Sequence, residues 1–177
     1  MNTPEAMSAG RPDTGAGYTD FGAAPRATTP RSDAERIDHI LITMRRTLAQ
    51  LEGIGPVDLE LLEVNPTAGL VIERVLANLG DMAFDINCHV SRAMSGTAPE
   101  TFAESCEAAV EFGLIDAELA SALMPAEGPY HVAMQLYLDR EPVKVEAVVG
   151  DALSAFQEFE RRAQQWRRDR AEGATGT

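Results

Sequence analysis

The stretch TAGLVIERVLANLGDMAFDINCHVSRAM, residues 67–94, decides which fold the rest of the chain can build. Its apolar residues recur every three or four positions, which is the spacing of one face of an α-helix. This stripe comprises Ile72, Val75, Leu79, Met82, Ile86, Val90 and Ala93. Val71, Phe84 and Cys88 widen the apolar surface, so the helix is predicted to lie in the middle of a bundle.

A polar line runs along the same predicted helix and faces either solvent or a cleft. It comprises Arg74, Asn78, Asp81, Asp85 and Arg92. Asp81, Asp85 and His89 follow each other at i, i+4 and i+8, and we predict that they line a cleft. A metal ion at these three residues would need further ligands from a second helix. The sequence offers no such ligands, so no metal and no cofactor are predicted.

The remaining chain predicts an all-α antiparallel helical bundle. Ser32-Asp33-Ala34-Glu35 forms a capping box that starts the first helix, and Asn65-Pro66 is a start signal for the long one. Further helices are predicted at residues 59–64, 101–112, 116–124, 130–137 and 142–170, and no segment alternates like a strand. We divide the chain into a disordered tail (1–31), a helical domain (32–170) and a frayed C-terminus (171–177).

Composition limits the possible functions. The 28 acidic and 15 basic residues give a formal net charge of −13, so RNA binding is weakened unless a local basic patch exists. Five arginines of the last helix form such a candidate patch, although a solvated helix face is the simpler interpretation; they are Arg161, Arg162, Arg167, Arg168 and Arg170. Cys88 and Cys106 form no CxxC motif. Without an evident signal peptide or membrane-spanning run, the predicted location is the cytoplasm.

From about residue 35 to 166, the order of helices resembles the HepT-like family of the HEPN superfamily. DINCHV, residues 85–90, resembles the family's aspartate-isoleucine-x-x-histidine stretch. ETFAESCEAAVEFGLIDAELASAL, residues 100–123, is similar to the family's helix, Gly-Leu turn and helix. EGPYHVAMQLY, residues 127–137, stands where the family carries its signature, and the helix after Glu141-Pro142 also matches.

The resemblance implies a ribonuclease toxin that acts as a homodimer without a metal ion. Its partner would be a nucleotidyltransferase-type antitoxin, which can attach AMP to the signature tyrosine. That signature is an arginine, a few residues, a histidine, one residue and a tyrosine. Here Tyr130 stands at the arginine position, His131 follows it, and Gln135 stands at the histidine position; Tyr137 alone matches. Tyr137 is therefore the predicted AMP acceptor.

These departures predict weak or absent ribonuclease activity. Phosphodiester cleavage by the 2′-hydroxyl needs a group that titrates near neutral pH, and glutamine does not. It also needs a cation for the charge developing on phosphate, which Tyr130 does not supply. Two alternatives stay open. One is a ribonuclease still active through His131 and Tyr137, and the other is a helical interaction domain with no toxin role.

Overall fold

The computed structural model describes residues 32–55, 59–123 and 142–175 of the chain. These residues form α-helices and no strand, which confirms the predicted all-α class. The helices are α1 (Asp33–Glu52), α2 (Leu59–Val64), α3 (Pro66–Ser95), α4 (Phe102–Glu111), α5 (Ala117–Leu123) and α6 (Pro142–Thr175). The predicted tail (1–31) and the predicted helix at 130–137 lie outside the described residues.

Hydrogen bonds at the first turn start α1 as predicted. The Ser32 hydroxyl accepts from the Glu35 amide at 3.3 Å, and the Glu35 carboxylate accepts from the Ser32 amide at 3.0 Å. Each bond satisfies an amide that the helix itself leaves without a partner. Thr101 and Glu104 build the same reciprocal cap at the start of α4, which the sequence analysis did not identify.

Asn65 precedes α3 as predicted, but its side chain makes no capping hydrogen bond. Its backbone serves both neighbouring helices instead, because its amide donates to Leu61 at the end of α2 and its carbonyl accepts from Ala68. Pro66 at the first helical position has no amide to satisfy. The start signal was therefore right in its position and in the role of Pro66, and the expected cap from the Asn65 side chain was wrong.

The side of α3 that faces the core differs in detail from the predicted stripe. Its fully buried apolar residues are Ile72, Leu76, Leu79, Ala83, Ile86 and Val90. Val75 and Met82 are half-buried and pack against this core. Val71 was predicted to widen the apolar surface, yet it is 48% exposed, and Ala93 is exposed as well. At about 100° per residue the buried side is centred on Ile72 and Val90, which leaves Val71 about 100° away and turned toward solvent. Ala93 lies in the last turn of α3.

Helix α1 packs antiparallel to both α3 and α6. Gln157 of α6 donates to Glu52 at the end of α1, while Arg167 of α6 contacts Asp38 near its start at 3.0 Å. The α1 side of the core comprises Ile37, Leu41, Met44, Leu48 and Leu51, and α6 contributes Val149, Ala152, Ala155, Phe156, Phe159 and Ala163. The helices therefore enclose one shared apolar core.

Two helix ends differ in how well they were predicted. Gly96 follows α3 with a φ of 80°, a conformation that favours glycine, and its amide bonds to the Arg92 carbonyl. Helix α6 continues to Thr175, so it ends later than the predicted residue 170. No proline interrupts residues 171–175, alanine favours helix, and a single glycine costs only about 1 kcal/mol.

Candidate functional site

His89, Asp33 and Arg92 form a polar cluster where the start of α1 meets the end of α3. His89 Nδ1 lies 2.7 Å from Asp33 Oδ1, and Arg92 Nη1 lies 3.4 Å from the same oxygen. The His89 side chain is 14% exposed, whereas Asp33 and Arg92 are 32% and 48% exposed. Because the three groups share one carboxylate oxygen, they form a single charged unit.

The contact with Asp33 determines which nitrogen of His89 faces a carboxylate and which is left for a ligand. A carboxylate accepts hydrogen bonds, so Nδ1 must carry the proton that it donates to Asp33. Nε2 of the neutral ring is then the nitrogen that can accept a hydrogen bond from a ligand. Arg92 Nη1 lies 3.3 Å from Nδ1 and places a permanent positive charge beside the ring. The cluster thus combines a titratable imidazole, an orienting carboxylate and a cation.

The ionisation of Asp33 should make the stability of the folded chain depend on pH. The hydrogen bond from His89, aided by the charges of His89 and Arg92, lowers the pKa of this carboxyl, although partial burial opposes the shift. A lowered pKa in the folded state adds stability above the unfolded pKa, near 4, and that stability is lost as the pH falls through the folded value. Asp33→Asn should therefore cost up to about 1 kcal/mol at neutral pH, since the cluster is partly open to solvent.

The measurement is urea unfolding of wild type and Asp33→Asn between neutral pH and pH about 3. We expect the difference in unfolding free energy to shrink as the pH falls below about 4. Asp81→Asn is the matched control, because Asp81 is exposed and makes no ion pair among the described residues. If the difference in unfolding free energy does not change with pH, the carboxylate charge of Asp33 contributes nothing to stability.

The other two predicted cleft residues do not join this cluster. Asp81 and Asp85 are exposed on α3. The side chain of neither residue makes a hydrogen bond or an ion pair with another residue of the described ranges. Asp85 lies near enough to Cys88 that, after burial, its charge helps to raise the pKa of that thiol. Of the three predicted side chains, His89 alone therefore has a defined polar partner.

The degenerate signature segment lies outside the described residues. Tyr130, His131, Gln135 and Tyr137 all belong to residues 124–141. Their predicted roles as replaced catalytic positions, as alternative catalytic groups and as AMP acceptor remain predictions from the sequence. Within residues 32–55, 59–123 and 142–175, no group of three or more histidine, cysteine or acidic side chains is arranged to hold a metal ion.

The arginines of α6 are largely engaged within the chain. Arg162 bridges to Asp116 and to Glu158, each at 2.6 Å, and Arg161 also binds Glu158. Hydrogen bonds from Arg161 and Arg162 lower the pKa of Glu158 to about 2. Arg170 lies over the ring of Trp166, 4.3 Å from its centroid. These contacts favour a structural role for the predicted basic patch.

A buried polar pair between α3 and α4 was not predicted from the sequence. Asn87 is 1% exposed, and its Nδ2 donates to Ser105 Oγ at 3.2 Å. Ser105 Oγ in turn donates to the carbonyl of Phe102 at 2.7 Å. The Asn87 side-chain carbonyl has no partner among the described residues. The spacing of Asn87 four residues after Ala83 was the available signal, because it places the amide on the buried side.

Comparisons with known proteins identify no relative of this chain. No family model, no curated protein and no solved structure matches it. Within the part of the chain that the structure describes, none of the helices has the length and apolar character needed to cross a membrane. The function of this chain is therefore inferred from its own residues.

Proposed function

We propose that this chain is a HepT-like toxin-family protein whose ribonuclease signature has degenerated. In this proposal its main activity is to bind a nucleotidyltransferase-type antitoxin, and the protein acts as a cytoplasmic homodimer. Residual RNA cleavage is weak or absent. Tyr137, the signature residue that is retained, is the position at which the antitoxin would attach AMP.

The observation that carries the proposal is the stretch at residues 85–90 and its setting in α3. Ile86 and Val90 are buried in the core, while Asp85 is exposed and His89 reaches Asp33. The apolar Ile86 and Val90 thus have a packing role, Asp85 remains at the surface, and the polar Asn87 is buried beside them. An all-helical chain with a long central helix supports the same interpretation.

The chemistry of the signature segment supports the inactive form over an active enzyme. Tyr130 carries no positive charge at neutral pH, and Gln135 cannot transfer a proton. Net charge −13 further weakens the attraction of a polyanion such as RNA. Binding a protein partner requires neither catalytic group, so it is the function that these substitutions leave possible.

Binding to the nucleotidyltransferase encoded beside this chain tests the proposal. We expect the two proteins to co-purify when co-expressed, and we expect mass spectrometry to find AMP on Tyr137 when ATP and Mg²⁺ are present. Tyr137→Phe should abolish the modification and retain the complex, because the ring is kept and the hydroxyl is lost. Lack of any complex, or no nucleotidyltransferase encoded nearby, would favour the plain helical interaction domain.

A further inference from the structure

The buried sides of α1, α3 and α6 all repeat every seven residues. Members of this repeat are Ile37, Met44 and Leu51 in α1, Ile72, Leu79 and Ile86 in α3, and Val149, Phe156 and Ala163 in α6. Moving α1 by seven residues, about 10 Å along its axis, would therefore bring apolar side chains onto apolar side chains again. Apolar packing distinguishes these positions of α1 only through the residues at its ends.

Charged residues on the edge of α1 that faces α6 have the same seven-residue spacing and alternate in sign. Asp38 pairs with Arg167 at 3.0 Å, and Arg45 pairs with Glu160 at 3.0 Å. Glu52, one further step along α1, continues the alternation with a negative charge. The side chains of Glu160 and Arg167 are only 13% and 23% exposed, so each pair has one partner that packing holds in place.

We propose that this alternating charge pattern fixes the position of α1 along its axis and so holds Asp33 against His89. Asp38, Arg45 and their two partners on α6 are then positioning residues for the polar cluster at the start of α1. The inference goes beyond the proposed function. It uses no residue of the signature segment, so either one can fail without the other.

Both neighbouring positions of α1 bring like charges together. If α1 moves by seven residues in one direction, Asp38 comes opposite Glu160. If it moves in the other direction, Arg45 comes opposite Arg167. In that second case Glu52 also comes opposite Glu160. Because contacts between like charges are unfavourable, only the observed position satisfies both ion pairs.

The position of α1 determines what His89 contacts. The residue one seven-residue step beyond Asp33 is Ile40. With Arg45 opposite Arg167, Ile40 would take the place of Asp33 beside the imidazole, and an isoleucine side chain accepts no hydrogen bond. A move in the opposite direction also carries Asp33 about 10 Å away from His89. The 2.7 Å contact between His89 and Asp33 therefore requires the observed position of α1.

The tautomer of His89 measures whether this contact is present. A neutral imidazole carries its proton on Nδ1 when that nitrogen donates to a carboxylate, whereas a free imidazole favours the proton on Nε2. We would record long-range ¹H–¹⁵N NMR spectra of the full chain at pH about 8.5, where an ordinary histidine is neutral. His89→Gln assigns the signal. We expect wild type to show the Nδ1-protonated form.

Reversing the charges on α1 should remove this form, and reversing those on α6 as well should restore it. Asp38→Arg/Arg45→Glu creates two like-charge contacts in the observed position of α1. We therefore expect the Nδ1-protonated fraction to fall at least about threefold. Adding Glu160→Arg and Arg167→Glu restores both pairs with exchanged signs and should return the wild-type spectrum.

Arg46→Glu/Asp151→Arg is the control for charge alone. It makes changes of the same size at exposed positions of α1 and α6 and should leave the tautomer unchanged. The proposal is overturned if the α1 double variant keeps the wild-type tautomer, or if the four-residue variant does not recover it. If circular dichroism shows that the double variant does not fold, the four-residue variant decides. A folded chain with the wild-type signal then supports the proposal, and failure to fold overturns it.

Discussion

Asn87→Asp is expected to destabilise the folded chain by about 3–5 kcal/mol at pH 7, because it places a carboxylate in a site that is almost fully buried. The Ser105 hydroxyl is the one described donor within reach, and it already donates to the carbonyl of Phe102. A single hydroxyl cannot replace the water that a carboxylate loses on burial. Aspartate has nearly the same shape as asparagine, so the loss of stability measures the effect of the charge and not of altered packing.

The pH dependence of this variant has a definite sign. Burial raises the pKa of the introduced carboxyl above its unfolded value, so the folded state holds a proton that the unfolded state releases. The destabilisation relative to wild type is therefore small below pH about 4 and grows as the pH rises. Urea unfolding followed by far-UV circular dichroism at several pH values measures it.

Asn87→Leu is the matched control for the aspartate variant. Leucine keeps the branched shape, removes the unpaired carbonyl and leaves Ser105 bonded to Phe102. We expect its stability to lie within about 1 kcal/mol of wild type. If Asn87→Asp lowers the free energy of unfolding at pH 7 by less than Asn87→Leu does, water must reach this site, and the description of the pair as buried is wrong.

The second large effect is expected from restoring the signature. Tyr130→Arg combined with Gln135→His returns a fixed cation and a group that titrates near neutral pH to the two replaced positions. General acid–base catalysis and stabilisation of developing charge each contribute about a hundredfold or more to such reactions. We therefore expect the double variant to cleave single-stranded RNA in EDTA at least about a hundredfold faster than wild type.

Each single substitution is the control for the double variant. Tyr130→Arg alone lacks the proton-transferring group, and Gln135→His alone lacks the cation. Both should remain close to wild type if the two groups act together on one phosphate. A double variant as silent as wild type would mean that more than these two side chains has been lost, and the plain interaction domain would gain support.

Local sequence signals predicted most of the helices. The capping box at Ser32 and the proline at the start of α3 mark helix ends through backbone chemistry that acts within a few residues. Periodicity likewise placed Ile72, Leu79 and Ile86 in the core. It failed for Val71, because a broad apolar surface does not show which residue marks its edge.

Contacts between distant residues could not be predicted in this way. His89 and Asp33 are 56 positions apart, and their pairing depends on the antiparallel packing of α1 against α3. The sequence suggested that His89 would act with Asp81 and Asp85, since helical spacing shows which residues share a side but not what faces them. Asn87 was overlooked because its spacing from Ala83 indicates burial only if Ala83 is known to be buried, and the predicted stripe did not include Ala83.

The most direct test of the account is RNA cleavage by the purified wild-type chain in EDTA, with labelled single-stranded RNA of mixed sequence. The account predicts no cleavage above buffer, because Tyr130 and Gln135 supply neither the cation nor the proton-transferring group. Metal-independent cleavage by wild type that His131→Ala abolishes would contradict it. The protein would then be an active ribonuclease that uses His131 and Tyr137.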